Sequence, residues 1–227
     1  MTNRLLQNFP ADALQDLQSS LERVTLDYGQ PLIVPNEPIQ HVYFPLSALA
    51  SLVTVLEDGT TVEAGSVGRE GMVGIPILLG EPTTPMQTVT QIAGESLRAP
   101  ASVMKRLFDT NPAVTTLLQR YVHTLFVIAS QSAACNRRHD VQARLARWLL
   151  MSSDGIDSND VGITQEYLAA MLGVRRPGVT IAAVKLQEDG FIRYSRGFVQ
   201  IVDREGLEAA ACECYHVVKA EYDRLLG

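Results

Sequence analysis

The chain has 227 residues, of which 46% are hydrophobic and 19% are charged, with a formal net charge of −6. This apolar fraction is sufficient for a packed core and excludes an intrinsically disordered chain. The longest apolar stretches are shorter than the roughly 20 residues that a membrane-spanning helix needs. No signal-like segment follows Met1, and three cysteines, an odd number, do not suit a disulfide framework. We therefore expect a cytoplasmic protein with reduced thiols and no membrane association.

The negative total charge hides an uneven distribution along the chain. Residues 1–109 carry 6 basic and 12 acidic side chains, whereas residues 110–202 carry 10 basic and 7 acidic ones. Nucleic-acid binding depends on a local basic face rather than on the total charge. A surface of that kind is therefore expected only in the middle to late part of the chain.

A strand-like pattern runs from about Val24 to Ala99. Within it, Glu57-Asp58-Gly59 separates two β-forming stretches, and Asp-Gly in that position predicts a hairpin. Four glycines follow at a spacing that is neither helical nor strand-like and that predicts repeated tight turns: Gly65, Gly68, Gly71 and Gly74. Short strands at this spacing predict a compact β-barrel or β-roll.

Helical periodicity then replaces the strand pattern. Ala101–Phe108 predicts a short helix, and Asn111-Pro112 predicts the start of a long one. Apolar positions along the long helix alternate by four and three, as in a coiled coil: Val114, Leu118, Tyr121, Leu125, Ile128, Ser132 and Cys135. A helix of about 25 residues is roughly 37 Å long, more than one small domain usually covers, so we expect this stripe to form a homodimer seam. The alternative is that the stripe packs against the β domain of its own chain.

The polar cluster Asn136–Asp140 predicts a hinge, after which Val141–Leu150 predicts an amphipathic helix and Ser152–Asp160 a loop. The strongest pattern of the chain comes next. A helix over Gln165–Leu172, a glycine turn and a second helix from Arg176 to Gly190 predict a helix-turn-helix. Apolar or small residues stand at the inward positions of both helices: Leu168, Ala169, Leu172, Val174, Val179 and Ala182.

A wing is predicted directly after the second helix. Two short strands in Phe191–Val202 are joined by Ser195-Arg196-Gly197, and a final helix is expected from Asp203 to Leu226. An arginine at the start of a recognition helix can donate two hydrogen bonds to the O6/N7 edge of guanine. The candidate DNA-binding residues are Thr164, Arg175, Arg176, Gly178, Thr180, Ile181, Lys185, Arg193 and Arg196. The alternative is a solvated polar face on an ordinary helical hairpin.

With these motifs the chain resembles the Crp/Fnr (cyclic-AMP receptor protein) family of bacterial transcription regulators, most specifically in LAAMLGVRRPGV and KLQEDGFI. The resemblance implies an α+β fold in three parts. These are a cyclic-nucleotide-binding-like sensor β-roll over residues 1–110, a dimerisation helix and hinge over 111–138, and a winged helix-turn-helix over 139–227. It also implies a homodimer that binds an inverted repeat in double-stranded promoter DNA, regulates transcription and contacts RNA polymerase.

Two departures from the family pattern concern the DNA-reading residues. Arg176 matches the guanine-reading arginine of the family, but Pro177 stands where many members have a base-reading glutamate. Ile181 stands where many members have a second arginine. The resemblance therefore implies DNA binding to a target sequence that differs from the usual one.

The sensor end departs further. Cyclic-AMP binders hold the ribose with a glycine followed by glutamate and the cyclic phosphate with an Arg-Ser pair, whereas this chain has Gly74-Ile75 and Pro85-Met86. A buried phosphate without a cation is costly, so we expect an unidentified small-molecule effector other than cyclic AMP. The candidate effector-pocket residues are Arg69, Gly74, Ile75 and Met86, with Arg69 able to bind some other anion.

The cysteines give no clear metal motif. No cysteine precedes Cys135, which excludes the N-terminal iron–sulfur cluster of Fnr-type members. Cys212-x-Cys214-x-His216 has metal-like spacing, but on a continuous helix Cys214 would point away from the other two side chains. We therefore expect no metal and no cofactor, with the cysteines packed as small apolar residues. A redox switch at Cys135, between two copies of the chain, is a further hypothesis.

No catalytic motif is present, so we do not expect an enzyme. Two other interpretations remain open from the sequence. One is a sensing or protein-interaction module whose helix-turn-helix does not read DNA. The other is a DNA-binding regulator that has no effector.

Overall fold

The computed structural model of the protein describes residues 2–57, 59, 61–195 and 197–227. Two short helices begin the chain, and a set of antiparallel strands follows, as the alternation of β-forming residues and turns predicts. Their bounds are α1 Arg4–Gln7, α2 Ala11–Gln18, β1 Glu22–Leu26, β2 Pro31–Ile33, β3 His41–Pro45, β4 Leu49–Val55, β5 Thr61–Val67, β6 Gln87–Ile92 and β7 Gly94–Pro100. The strands form two sheets, in the orders β1-β7-β3 and β2-β6-β4-β5, and the predicted β-roll is confirmed.

The predicted hairpin is formed by β4 and β5, which pair from Ala50 opposite Val67 to Val55 opposite Thr61. Of its turn, Asp58 and the adjoining Thr60 lie outside the described residues. The turn predicted at Gly65 is wrong, because Gly65 lies inside β5, next to a register shift between its partner Leu52 and Val53. Periodic glycines can thus mark an irregularity within a strand as well as a turn.

Gly74 has the left-handed φ of 107°, and a 3-10 helix, Ile75–Leu79, follows it directly. A Cβ at Gly74 would also come within 2.8 Å of a methyl carbon of Val42, so both conformation and space require glycine there. The 3-10 helix connects β5 to β6 and closes one side of the roll.

Helix α3 (Ala101–Thr110) leads into the long helix α4 (Pro112–Arg138). The predicted start of α4 is correct, since the Asn111 side chain accepts hydrogen bonds from the backbone N–H groups of Ala113 and Val114 at 3.1 and 3.2 Å. Asn111 thereby satisfies two of the free N–H groups at the helix N-terminus.

The stripe on α4 that the sequence predicts as a homodimer seam faces other elements of its own chain. The stripe is covered within its own chain, with Leu125 partly buried and the other six buried: Val114, Leu118, Tyr121, Ile128, Ser132 and Cys135. One part of α4 lies against β5, and its later half lies against the last helix of the chain. The length argument fails because α4 is shared by two packed units rather than covered by one. The intrachain alternative is the one observed.

The rest of the chain forms the winged helix. Its elements are α5 Val141–Ile156, β8 Asp160–Val161, α6 Gln165–Leu172, α7 Arg176–Glu188, β9 Ile192–Ser195, β10 Phe198–Ile201, α8 Arg204–Ala210 and α9 Cys214–Leu226. The three strands form a sheet in the order β8-β10-β9. None of the helices within the described part of the chain has the length and apolar character needed to cross a bilayer.

Two sequence expectations in this part are corrected. The loop predicted over Ser152–Asp160 begins too early, because α5 continues to Ile156 and buries Ser152 and Ser153. The final helix predicted from Asp203 is interrupted between Ala210 and Cys214. Tertiary packing overrides the local turn and helix preferences in both places.

Candidate nucleic-acid interface

The helix-turn-helix has the local geometry that its sequence predicts. Thr164 precedes α6, and its Oγ1 accepts a hydrogen bond from the backbone N–H of Tyr167 at 3.3 Å. Gly173 ends α6 in the left-handed conformation, with φ 60° and ψ 38°. Helix α7 buries Val179 and Leu186 among the apolar residues of the winged helix. Ala182 and Ala183 are buried as well, so the exposed face of α7 is the one that carries Ile181 and Lys185.

The N-terminal part of α7 carries a basic and apolar surface. Arg175 and Arg176 are exposed, and neither makes an ion pair within the part of the chain that the structure describes. Gly178, half-buried in the first turn, donates its backbone N–H to the carbonyl of Arg175 at 2.9 Å. One turn further on, 72% of the Ile181 side chain is accessible to solvent, and Val184 is also exposed. Exposed aliphatic side chains beside arginines are suited to contact with a mixed polar and apolar surface.

Two other candidate residues on α7 already have partners. The Thr180 hydroxyl lies 2.8 Å from Oε1 of Gln165 and 3.1 Å from the backbone carbonyl of Arg176. Thr180 therefore connects α7 to the start of α6. Lys185 donates to Asp189 at 2.7 Å, and this hydrogen bond raises the pKa of the Lys185 ammonium group. Such an exposed pair contributes little to stability and is easily exchanged for another anion.

The wing is a short hairpin in which Arg193 lies opposite Gln200. Nη1 of Arg193 donates to Oε1 of Gln200 at 3.2 Å, and the backbone N–H of Tyr194 donates to Oε1 of Gln187 at 2.8 Å. The wing is thus attached to α7 by a side-chain amide. Arg196, the other candidate on the wing, lies outside the described residues.

Sequence reasoning missed the glutamines that position these elements. Gln165, Gln187 and Gln200 connect α6 to α7, α7 to the wing, and the two wing strands to each other. Neutral amides have neither charge nor hydrophobic periodicity, so no sequence signal singles them out.

The winged helix packs directly against the β-roll. Helix α6 lies on β5, and the rings of Tyr28 and Tyr167 meet edge to face with centroids 5.7 Å apart. Nε1 of Trp148, the only tryptophan, donates to Oε1 of Glu63 at 3.2 Å. Burial raises the pKa of the Glu63 carboxyl group, against the opposing effects of Ser51 and of three other side chains, Trp148, Arg147 and Gln91.

The predicted effector-pocket residues separate into two groups. Gly74, Ile75 and Met86 line one cavity of about 440 Å³, which also reaches Leu125 of α4. The described residues around this cavity include one ionisable side chain, Glu81, and no basic one. This arrangement is suited to an apolar ligand and not to a phosphate.

Arg69 does not belong to that cavity, and its grouping with the pocket residues is corrected. It makes an ion pair with Asp157 and lines a separate polar cavity of about 410 Å³ between the β-roll and the winged helix. The turn that carries Arg69 is held against α5, where the Arg69 backbone N–H donates to the carbonyl of Gly155 at 2.8 Å.

Comparison with known proteins agrees with this architecture. A cyclic nucleotide-binding domain model matches residues 23–111, and a Crp-like helix-turn-helix domain model matches residues 143–210. The chain belongs to the Crp/Fnr family. Members of this family are transcriptional regulators, as the resemblance implies. A search of curated proteins finds no match.

Several solved structures share the fold of this Crp/Fnr-family chain. A Crp/Fnr-family transcriptional regulator from Eubacterium rectale is 17% identical with a TM-score of 0.68, covering 91% of this chain and 96% of its own. A Crp/Fnr-family regulator from Thermus thermophilus is 22% identical with a TM-score of 0.67, covering 84% and 98%. The c-di-GMP-responsive global regulator CLP of Xanthomonas campestris is 19% identical with a TM-score of 0.65, covering 85% and 99%. At these identities the likeness concerns the fold alone.

Proposed function

We propose that this Crp/Fnr-family chain is a sequence-specific DNA-binding transcription regulator that binds an inverted repeat as a homodimer. The observation that carries the proposal is the exposed N-terminal face of α7, where Arg175 and Arg176 lie free of acidic partners among the described residues. A recognition helix enters the major groove with such a face, and two of them in a dimer read half-sites about 34 Å apart.

The side chains of α7 indicate what each half-site contains. In this proposal Arg176 donates to O6 and N7 of a guanine, a contact that discriminates bases by about 1–3 kcal/mol. The exposed Ile181 is suited to a thymine methyl group, and Pro177 offers no hydrogen bond to a base. Lys185 would exchange Asp189 for a phosphate. We therefore expect a half-site with a guanine followed by an A·T-containing step.

The homodimer uses the face of α4 that remains uncovered. Along it, positions spaced by three and four residues are exposed or half-buried: Gln119, Val122, Phe126, Ala129 and Ala133. Of these, Phe126 is 69% exposed, and the alanines beyond it leave room for close approach of a second helix. The homodimer seam is thus assigned to this face instead of the buried stripe.

The effector of this regulator is apolar and binds in the 440 Å³ cavity. Three observations support this assignment: the largely apolar lining, the lack of a basic side chain among the described residues around it, and the contact with Leu125. Because Leu125 belongs to α4, a ligand in the cavity touches the same helix that carries the dimer face. This connection offers a physical route from the bound ligand to the two recognition helices of the dimer.

The proposed function is tested by sequencing the genomic fragments that purified protein retains at physiological salt, because non-specific phosphate binding weakens as salt is added. We expect a shared inverted repeat. Arg176→Ala should weaken binding to it by about 1–3 kcal/mol per half-site and relax the guanine preference. Arg106→Ala, an exposed arginine on α3, is the matched control and should leave binding unchanged.

The experiment also separates the other interpretations. Retention that is sequence-independent and insensitive to Arg176→Ala, with and without a cell metabolite extract, would contradict DNA reading and favour an interaction module. A shared repeat whose affinity does not change with the extract would favour a regulator without an effector.

A further inference from the structure

Four side chains of metal-binding type meet where α4 ends and α9 begins. Cys135 and His139 lie one turn apart at the end of α4, and Cys212 and Cys214 flank Glu213 in the break before α9. One ligand atom of each of the four lies within 4.8 Å of all the others. The three cysteines are buried, and they are all the cysteines of the chain.

The cluster corrects the sequence argument about Cys212, Cys214 and His216. That argument assumed one continuous helix, but the break between α8 and α9 directs both thiols to the same point. His216 is exposed and lies outside the cluster, and His139, which is 73 positions before Cys212, takes its place. The redox hypothesis placed Cys135 against a second copy of the chain, whereas it faces Cys212 of its own chain.

Two of the ligand–ligand distances match those around a single tetrahedral ion, and the others are within 4.8 Å. With Zn–S of about 2.3 Å and Zn–N of about 2.0–2.1 Å, neighbouring ligand atoms are about 3.8 Å apart for two sulfurs and about 3.6 Å for sulfur and nitrogen. Here Sγ of Cys135 lies 3.5 Å from Sγ of Cys212, and Sγ of Cys214 lies 3.6 Å from Nδ1 of His139. A multi-iron cluster distributes its ligands over several metal atoms, so four ligand atoms this close favour one ion.

The groups around the cluster are those that a metal-bound histidine and thiolates require. Nε2 of His139 lies 3.1 Å from a carboxylate oxygen of Glu213, which leaves Nδ1 to face the cysteines. A carboxylate on the far nitrogen orients a ligating imidazole and raises its basicity. Nε2 of Gln131 donates to Sγ of Cys214 at 3.0 Å, a hydrogen bond that stabilises a thiolate.

Charge supplies an independent argument. Arg144 and Arg147 are only 6% and 7% exposed, and Nε of each, with Nη1 of Arg147, lacks a hydrogen-bond partner among the described residues. Nη2 of Arg144 donates to Oδ1 of Asn136, the residue after Cys135, at 2.7 Å. Buried cations need compensating negative charge. Arg147 also interacts with the buried Glu63 carboxyl group, so the need is greater for Arg144. Three thiolates around a divalent ion leave a net charge of −1, which meets that need.

We propose that Cys135, His139, Cys212 and Cys214 bind one structural Zn²⁺ ion that joins the end of α4 to the start of α9. Each thiol gives up its proton to solvent as its sulfur binds the metal. Four protein ligands fill the tetrahedron, so the site has no open position for catalysis. The ion connects elements on both sides of the predicted hinge and fixes the winged helix against α4.

The test begins with the intact wild-type chain, purified with a reducing agent and without added chelator. We expect one zinc per chain by elemental analysis. After replacement by Co²⁺, we expect the visible absorption of a tetrahedral cobalt site with thiolate-to-cobalt charge transfer. His139→Gln and Cys212→Ser should lose this spectrum, whereas His216→Gln, an exposed histidine on α9, should keep it.

A second variant, at Glu213, distinguishes a specific effect on the metal site from simple misfolding, because Glu213 is exposed and is not itself a ligand. Glu213→Gln should keep the tetrahedral spectrum but weaken metal affinity by about 10- to 100-fold in a chelator competition. Glu205→Gln, an exposed control on α8, should not change it. None of these measurements uses DNA, so failure of the metal-site proposal can be distinguished from failure of the proposed DNA-binding function.

Three outcomes would overturn the proposal: wild-type protein that stays metal-free with excess zinc, a six-coordinate cobalt spectrum, or equal affinity for wild type and Cys212→Ser. A Cys135–Cys212 disulfide in protein purified with a reducing agent would also overturn the proposal, because an oxidised pair cannot supply two thiolates.

Discussion

Replacement of Phe126 tests the homodimer seam proposed on the uncovered face of α4. Complete burial of a phenylalanine side chain contributes about 1.5–3 kcal/mol. Phe126 is 69% exposed in the single chain, so burial in a seam would contribute about 1–2 kcal/mol per protomer. The twofold axis of a homodimer doubles this to about 2–4 kcal/mol. Phe126→Ala is therefore expected to raise the dimer dissociation constant by about 30- to 700-fold, at 1.4 kcal/mol per tenfold.

The assay is sedimentation equilibrium across a concentration series, with Phe126→Asp as a stronger variant because it places a charge in the seam. Val34→Ala, an exposed valine in the loop after β2, is the control and should dimerise as wild type does. Leu118→Ala distinguishes the buried stripe of α4 from the proposed seam. Replacement of this buried side chain should lower the free energy of unfolding by about 2–5 kcal/mol and affect dimerisation less. Unchanged dissociation constants for both Phe126 variants would refute the reasoning.

Three further changes probe the contacts between the β-roll, α4 and the winged helix. Because the pKa of Glu63 is raised, the folded chain binds more protons at this site than the unfolded chain above about pH 4.5, so the site favours folding less as pH rises. Glu63→Gln removes that dependence. Urea titrations at several pH values should therefore show that the stability of the variant relative to wild type increases with pH. Gly68→Ala places a Cβ 2.4 Å from the Cα of Gly155, which should loosen the packing of α5 on the β-roll. The fluorescence of the single tryptophan should report this change, and an unchanged spectrum would contradict the close contact. Tyr121→Phe removes the hydroxyl that bonds both backbone groups of Met72, at 2.9 and 3.1 Å, and should cost about 1–3 kcal/mol in thermal or urea unfolding.

The helix-turn-helix was predictable because its signals are local. A capping threonine, a glycine that must adopt a left-handed conformation and inward apolar positions all lie within about 25 consecutive residues, and each requires no knowledge of the rest of the fold. The bounds of α6 over Gln165–Leu172 agree with the prediction for this reason. The β-roll was predictable in class, since turn residues and β-formers alternate, but its strand order depends on pairings between distant segments.

The elements that cover each face of α4 could not be predicted from periodicity. A heptad stripe shows that one face of a helix is covered, but not by what. Tyr121 illustrates the difference, because its hydroxyl bonds the β-roll backbone at Met72, 49 positions earlier. The uncovered face of α4 combines Phe126 with alanines and a glutamine, and hydropathy ranks that face below the buried one.

The metal cluster was unpredictable for a different physical reason. The break between α8 and α9 contains Ala211, Cys212 and Glu213, none of which is a helix-breaking residue. Local preference therefore predicts one helix, and only the packing of α9 along α4 shows that two are formed. Cys135 and Cys212 are 77 positions apart, and no spacing rule connects them.

The same packing restricts how the winged helix can move. A rotation of all residues after the predicted hinge would carry α9 away from α4, and would break the contacts of Cys212 with Cys135 and of Cys214 with Gln131. Movement of α5 to α8 alone would also break contacts, because Tyr215 of α9 is buried in the core of the winged helix and its hydroxyl donates to Asp154 of α5 at 2.9 Å. The link between α4 and α5 and the break between α8 and α9 both lie at the four-residue cluster. A zinc ion bound there would hold both links at once and keep the start of α9 against the end of α4.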